Sequence, residues 1–223
     1  MKIIIVLLMS ILTFLAAFGQ VAIIDDPDGW TNLRKDADGS SNVVHRLLDS
    51  EVFWYDWEAL SNQQEWIKIF ITRNPYTLGQ NPYDCFEGYI HSSRIKPLDS
   101  LTIYNGSDFQ ISYTIADFDS TNRIIEKSGK WPISIDDRPI WGTDGTYPNN
   151  QIDSIKVRFG KERIQIHRVF YSDLFGIDNS FEVYKNNDTY MVHQWNGDGA
   201  GAYEIVWVFD KNGLKQRLVG TMF

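Results

Sequence analysis

The sequence predicts an all-β protein, a small barrel followed by an antiparallel β-rich domain. Three observations carry that expectation. Apolar and polar residues alternate in short runs, turn-forming clusters separate the runs, and no window sustains an amphipathic helical period for three turns. The 223 residues contain one cysteine, Cys85, so no internal disulfide is available and the apolar core must hold the chain. A hydrophobic share of 43% with 14% aromatics supplies that core and excludes a disordered chain.

The first 19 residues read as a secretory signal peptide. Lys2 supplies a positive charge, Ile3 to Phe18 is apolar except for Ser10 and Thr13, and Ala17-Phe18-Gly19 places small residues where a signal peptidase reads. The run is shorter than the ~20 apolar residues of a spanning helix. Cleavage after Gly19 would leave 204 of the 223 residues, beginning at Gln20, with the net charge changed from −8 to −9 by loss of Lys2. The expectation is an exported protein, periplasmic or extracellular, with no membrane span after cleavage. The acidic balance excludes nucleic acid as a partner, since its binders gather Lys and Arg.

Residues 20–98 form the first predicted domain. Runs at Val21–Ile24, Trp30–Arg34, Val43–Leu48, Val52–Trp57, Trp66–Ile71 and Gly88–His91 are the predicted strands. The stretch Asp25-Asp26-Pro27-Asp28-Gly29 before Trp30 invites a test as a calcium loop. An EF-hand needs oxygen ligands at positions 1, 3 and 5 with Gly at 6. With Gly29 at 6, Ile24 stands at 1, and with Gly39 at 6, Arg34 does. The stretch is therefore a turn, and Trp30 and Leu33 are expected to start the core.

Three motifs follow in order: Asp28-Gly29-Trp30-Thr31-Asn32-Leu33-Arg34, then Glu65-Trp66-Ile67-Lys68-Ile69, then Gly88-Tyr89-Ile90-His91. Together they resemble the bacterial SH3-like domain over about a third of the chain. The resemblance implies a barrel of five or six strands, with Arg34 as a structural hydrogen-bonder at its edge. Two stretches depart from it, the insertion Thr72–Glu87 and the long connection Asp56–Gln64.

Residues 99–223 form the second predicted domain, with the joint at Arg94–Asp99, where Pro97 disfavours a strand in mid-sheet. Phe109–Ile115 alternates. Ile155–Phe159 and Ile164–Ile166 flank a hairpin turn at Gly160–Arg163. Tyr190–Val192 follows a turn at Asn186–Asp188, and Tyr203–Phe209 is apolar enough for a central strand, with a last strand near Leu218-Val219. A sandwich or curled sheet is expected, with one short helix at Val169–Phe175. Asn105-Gly106-Ser107 and Asn187-Asp188-Thr189 read as turns.

The candidate sites are surfaces. In Val52–Trp57 both faces carry rings, so a small barrel should leave some of them open. Trp54, Tyr55, Trp57, Tyr83 and Tyr89 are the candidate ligand-binding residues, unless the insertion or the second domain covers them. A second candidate site pairs Asp-Gly turns with aromatics at Trp141 and Asp144 and at Trp195 and Asp198. No catalytic residue, metal site or cofactor is assigned. The four histidines stand apart, and Cys85 precedes no helix that would activate it. The expected function is non-enzymatic binding of a peptide, a peptidoglycan fragment or an envelope protein. Two alternatives remain: a cell-wall or glycan hydrolase using the acids of the 144 and 198 loops, and an inhibitor or immunity protein that plugs its target with the Thr72–Glu87 loop.

Overall fold

The structure, a computed structural model, describes residues 21–79, 81, 83–197 and 199–221. The predicted signal peptide and Asp198 lie outside the described residues. The fold is all-β, with every strand pairing in its sheets antiparallel.

The first region contributes β1 (Val21–Ile24), β2 (Trp30–Arg34), β3 (Val43–Leu48), β4 (Phe53–Tyr55), the helical turn α1 (Trp57–Ser61), β5 (Trp66–Thr72), β6 (Cys85–His91) and β7 (Ile95–Pro97). They form one seven-stranded sheet in the order β3-β2-β6-β5-β4-β1-β7. Each strand sends a residue into a single core, among them Ile24, Leu33, Leu47, Phe53, Ile67, Ile69, Ile90 and Ile95. A flat sheet could not aim seven strands at one cluster, so the sheet is rolled. At Gly88 a Cβ would stand 2.3 Å from the Arg34 carbonyl oxygen, so this crossing of β6 over β2 admits only glycine. Pro97 lies on the edge strand β7, where its missing N–H costs nothing.

Two expectations need correction here. Leu33 enters the core, but Trp30 does not. Residues three apart on a strand have opposite parity, so one of the two must face out. The run Val52–Trp57 is not strand throughout. β4 stops at Tyr55, and Asp56 caps α1 by accepting a hydrogen bond from the Ala59 N–H at 2.9 Å.

The second region contributes β8 (Phe109–Asp117), β9 (Ile125–Ser128), β10 (Trp131–Ile135), β11 (Arg138–Pro139), β12 (Asn150–Phe159), β13 (Glu162–Gln165), β14 (Glu182–Asn186), β15 (Thr189–Asn196), β16 (Tyr203–Asp210) and β17 (Gly213–Gly220). The sheets β13-β12-β8 and β14-β15-β16-β17 face each other as a sandwich, and β11-β10-β9 forms a small third sheet. Phe109, Tyr113, Ile155 and Val157 from one side meet Tyr190, Val192, Trp207 and Phe209 from the other. The helix expected at Val169–Phe175 is only a 3-10 turn, Arg168–Phe170. Beyond it the backbone is drawn into bridges, with Phe175 N–H donating to the Trp141 carbonyl at 3.1 Å and Trp141 N–H to the Asp173 carbonyl at 3.3 Å.

Strand β16 is buried along nearly its whole length, which its apolar run anticipated. Tyr203, Ile205, Trp207 and Phe209 fill the sandwich. Val206 and Val208 point the other way, where with Tyr184, Met191 and Leu218 they pack against Val21, Ile23, Val52, Trp54 and Leu98. The rolled sheet and the sandwich thus share an apolar seam, and Leu98 at the expected joint belongs to it. Gln216 crosses the seam as a surrogate strand: its amide accepts from Val52 N–H at 2.8 Å and donates to the Val52 carbonyl at 2.7 Å.

The insertion is part of the same seam. Arg217 N–H donates to the Pro75 carbonyl at 2.9 Å, its guanidinium donates to the carbonyls of Tyr76 and Thr77, and the Thr77 hydroxyl donates to the Arg217 carbonyl at 2.7 Å. Fully buried Arg217 also donates to Asp173 at 2.7 Å, and Arg138 donates to the other Asp173 oxygen at 2.6 Å. Arg217 thus pins the loop to the sandwich, and Asp173, shared with Arg138, holds the Arg217 guanidinium in place.

Candidate functional site

A cleft of about 280 Å³ opens on the rolled sheet, lined by Asp26, Asp28, Trp30, Thr31, Asn32, Arg34, Gly39, Trp66, His91 and Arg94. Its walls follow from strand parity. On β5, Ile67, Ile69 and Ile71 turn inward, so Trp66 turns outward, opposite His91 on β6. The two rings meet edge to face with centroids 5.7 Å apart. On β2 the outward set is Trp30, Asn32 and Arg34. Trp30 lies under the Arg46 guanidinium, 4.1 Å from its ring centroid, which braces the indole by cation–π attraction.

The rim is built by the turn at Asp26–Gly29, where Gly29 N–H donates to the Asp26 carbonyl at 2.9 Å. Asp26 accepts from Asp28 N–H at 3.0 Å and pairs with Arg94 at 3.0 Å, its own side chain almost buried. This is an Asx turn tied to the 3-10 turn Ser92–Arg94, where the His91 ring accepts from Ser93 N–H at 3.2 Å. Arg34 donates to the Ser41 carbonyl at 2.7 Å, across the turn that joins β2 to β3. The cleft therefore presents two indoles, an imidazole, Asn32 and Thr31, with charges of both signs. It can stack a ring or an apolar side chain and hydrogen-bond polar groups beside it.

The sequence-predicted residues fall elsewhere. Trp54 is 1% exposed and Tyr55 is buried, so the expected open row of rings over Val52–Trp57 is not found. The second region covers Trp54, whose indole would touch a Cβ placed on Gly220 at 3.2 Å. Trp57 is 39% exposed on α1. Tyr89 is half-buried on β6, two residues from His91 and of the same parity, but it does not line the cleft. Tyr83 is 51% exposed and leans edge-on against Trp141, with centroids 6.3 Å apart.

At the second candidate site Trp141 is buried against Tyr203, while Asp144 and Trp195 are exposed. The structure does bring these two loops together. A Cβ on Gly201 would lie 2.4 Å from the Thr143 carbonyl carbon, so glycine is required for the contact.

The residues that sequence reasoning missed are Trp66, His91, Asn32, Asp26 and Arg94. The signal for Trp66 was present, in the outward parity of the run whose isoleucines turn inward. Cys85 is half-buried, and burial pushes its thiol up to about 11, with Asp84 and Glu87 adding to the shift. Its nucleophilic form is therefore scarce near neutral pH. Among the described residues no three His, Cys, Asp or Glu gather as a metal site, and no helix is long and apolar enough to cross a membrane.

Comparison of the chain with known protein families, with curated proteins and with solved structures found no match.

Proposed function

We propose that this is an exported, non-enzymatic recognition protein, and that its cleft between Trp30 and Trp66 takes a short segment of a peptide or of a peptide-bearing cell-wall fragment. The observation that carries the reading is the convergence of two outward indoles, His91, Asn32 and charges of both signs on one concavity. Its volume suits one side chain or one sugar ring rather than a large cofactor. The apolar N-terminal run and the SH3-like motifs add support from the sequence. Tryptophans placed this way are the usual energetic centre of a binding surface.

Titration of soluble peptidoglycan fragments, followed by intrinsic tryptophan fluorescence, tests the reading. The parent protein should give a saturable change, and Trp66→Ala should weaken binding roughly thirtyfold or more, the scale of a hot-spot truncation. Trp131→Ala, a substitution at an exposed ring outside the cleft, should leave affinity unchanged. Equal affinity in Trp66→Ala and the parent would overturn the assignment.

A further inference from the structure

Exposed sheet edges invite pairing with another chain, and proteins commonly cover them. Two edge strands of the sandwich have such covers. On β14 the Val183 carbonyl accepts from Tyr104 N–H at 2.7 Å, and on β17 Arg217 N–H donates to the Pro75 carbonyl at 2.9 Å. Strand β8, at the end of the sheet β13-β12-β8, is met only by side chains. The Asn179 amide accepts from Tyr113 N–H at 2.7 Å and donates to the Tyr113 carbonyl at 3.1 Å, as a neighbouring strand would. Four residues back, the Tyr104 hydroxyl accepts from Phe109 N–H at 3.4 Å.

Ile111 lies between these two points. Gly160 N–H donates to the Asp108 carbonyl at 2.7 Å, and Phe109 stands opposite Phe159. Antiparallel pairs alternate, so even-numbered residues here bond β12 and odd-numbered ones face away from it. Ile111 therefore turns its N–H and C=O to the free edge, and among the described residues neither has a hydrogen-bond partner. Its side chain lines an apolar concavity of about 940 Å³ between the sheets, with Val157 and Ile164 beside it and Phe181 and Val183 across. The opposite face of β8 is cationic. Its rows beside Ile111 are Gln110-Arg158-Arg163 and Ser112-Lys156-Gln165, with three cations and no carboxylate. Arg158 donates to Gln110 at 2.6 Å, which lays its guanidinium over β8 itself.

We infer that the β8 edge takes an extended peptide as an added strand, with apolar residues facing in and acidic residues facing out. The peptide residue opposite Ile111 exchanges two backbone hydrogen bonds with it. Residues directly opposite share a face, so that residue's side chain enters the apolar concavity. Its two neighbours turn the other way, beside Gln110 and Ser112, where Arg158 and Lys156 favour carboxylates. An acid beside Arg158 also offsets the like-charge repulsion between Arg158 and Arg163, which stand directly opposite each other. The site is separate from the tryptophan cleft and does not depend on it.

The probe is a short peptide of alternating valine and glutamate, added to the whole chain and followed by calorimetry and hydrogen exchange. It should bind and protect the Ile111 amide, with the amides of β3, an edge strand of the rolled sheet, unchanged. The same peptide N-methylated on its valines cannot donate to the Ile111 carbonyl and should bind roughly tenfold more weakly, the scale of a hydrogen bond lost with its partner left unpaired. A peptide of alternating valine and lysine should also bind more weakly. Ile111→Pro removes the free N–H without breaking the ladder to β12 and should weaken binding by a similar factor. Its melting curve reports whether that variant folds, and the N-methylated peptide tests the same bond on the parent protein. Trp66→Ala should leave this affinity unchanged. Absence of binding, or equal affinity for the N-methylated peptide, overturns the proposal. Loss of binding in Trp66→Ala overturns it in favour of the cleft. Self-association that protects the Ile111 amide without peptide overturns it in favour of a second copy of the chain.

Discussion

Two tryptophans of the rolled sheet, Trp54 on β4 and Trp66 on β5, have opposite fates. Their strands pair directly, with Trp54 opposite Phe70. Trp54 is sealed beneath the sandwich among Val21, Val52, Val206 and Val208. Trp66 stands in an open cleft beside His91. Residue type does not separate them. What separates them is whether a second sheet lies over their part of the surface. Aromatic density in a sequence thus marks both glue and recognition, and only the packing of the second region tells which is which.

The sharpest way to break this comparison is to loosen the seam. Asp173 is buried between Arg138 and Arg217. Asp173→Ala leaves two guanidinium groups without their shared anion and should cost about 3–5 kcal/mol by urea denaturation, the usual cost of breaking a buried pair. A loss under 1 kcal/mol would mean that the loop is not held there.

Next comes the tryptophan pair itself. Trp54→Ala should cost about 3–5 kcal/mol as a buried ring lost from a packed core. Trp66→Ala should cost under about 1 kcal/mol, as an open-surface change does. The Trp54 indole N–H has no hydrogen-bond partner among the described residues. Trp54→Phe should therefore recover most of the stability that Trp54→Ala loses, as judged by the same denaturation curves.

A smaller effect lies at alkaline pH. Burial pushes the Tyr55 phenol up to about 12, helped by the carboxylates of Asp99 and Glu204. Burial raises Tyr113 and Tyr203 as well. In the unfolded chain these phenols ionise near 10. Between that pH and the folded values the unfolded state holds fewer protons, so stability falls as pH rises. The contribution is whole below about pH 10 and drains away above it, by about 2 kcal/mol for Tyr55 at pH 12. Melting temperature followed from pH 8 to 11.5 should be level at first and then decline above 10.

Much of the fold was legible in the sequence. β1, β2 and β3 stand where alternation placed them, and the apolar run of β16 marked an interior strand. What alternation alone could not supply was the partner of each outer face. Val52 and Trp54 read as an edge with surplus rings, because nothing local says that Val206 and Val208, 150 residues onward, would cover them. The α1 turn was readable from Asp56 as a helix cap, but five residues are too few for a helical period to appear. At the candidate site, the turn at Asp26–Gly29 was read correctly. Trp30 was misplaced by treating it and Leu33 as companions, although their spacing of three puts them on opposite faces. The long Thr72–Glu87 connection read either as a cover for the rings of the first region or as a protruding loop, and alternation could not choose; its middle is pinned to Arg217, a contact more than a hundred residues away in sequence.

The central claim is that the rolled sheet and the sandwich are joined through one buried seam, which leaves the Trp30–Trp66 cleft as the open face. Hydrogen exchange on Met191→Ala tests it most directly, because Met191 belongs to the sandwich by sequence but faces the rolled sheet. The account predicts that amide protection falls in Val21–Ile24 and Phe53–Tyr55 as well as in β15 and β16. Loss of protection confined to β15 and β16, with β1 and β4 unchanged, would contradict it.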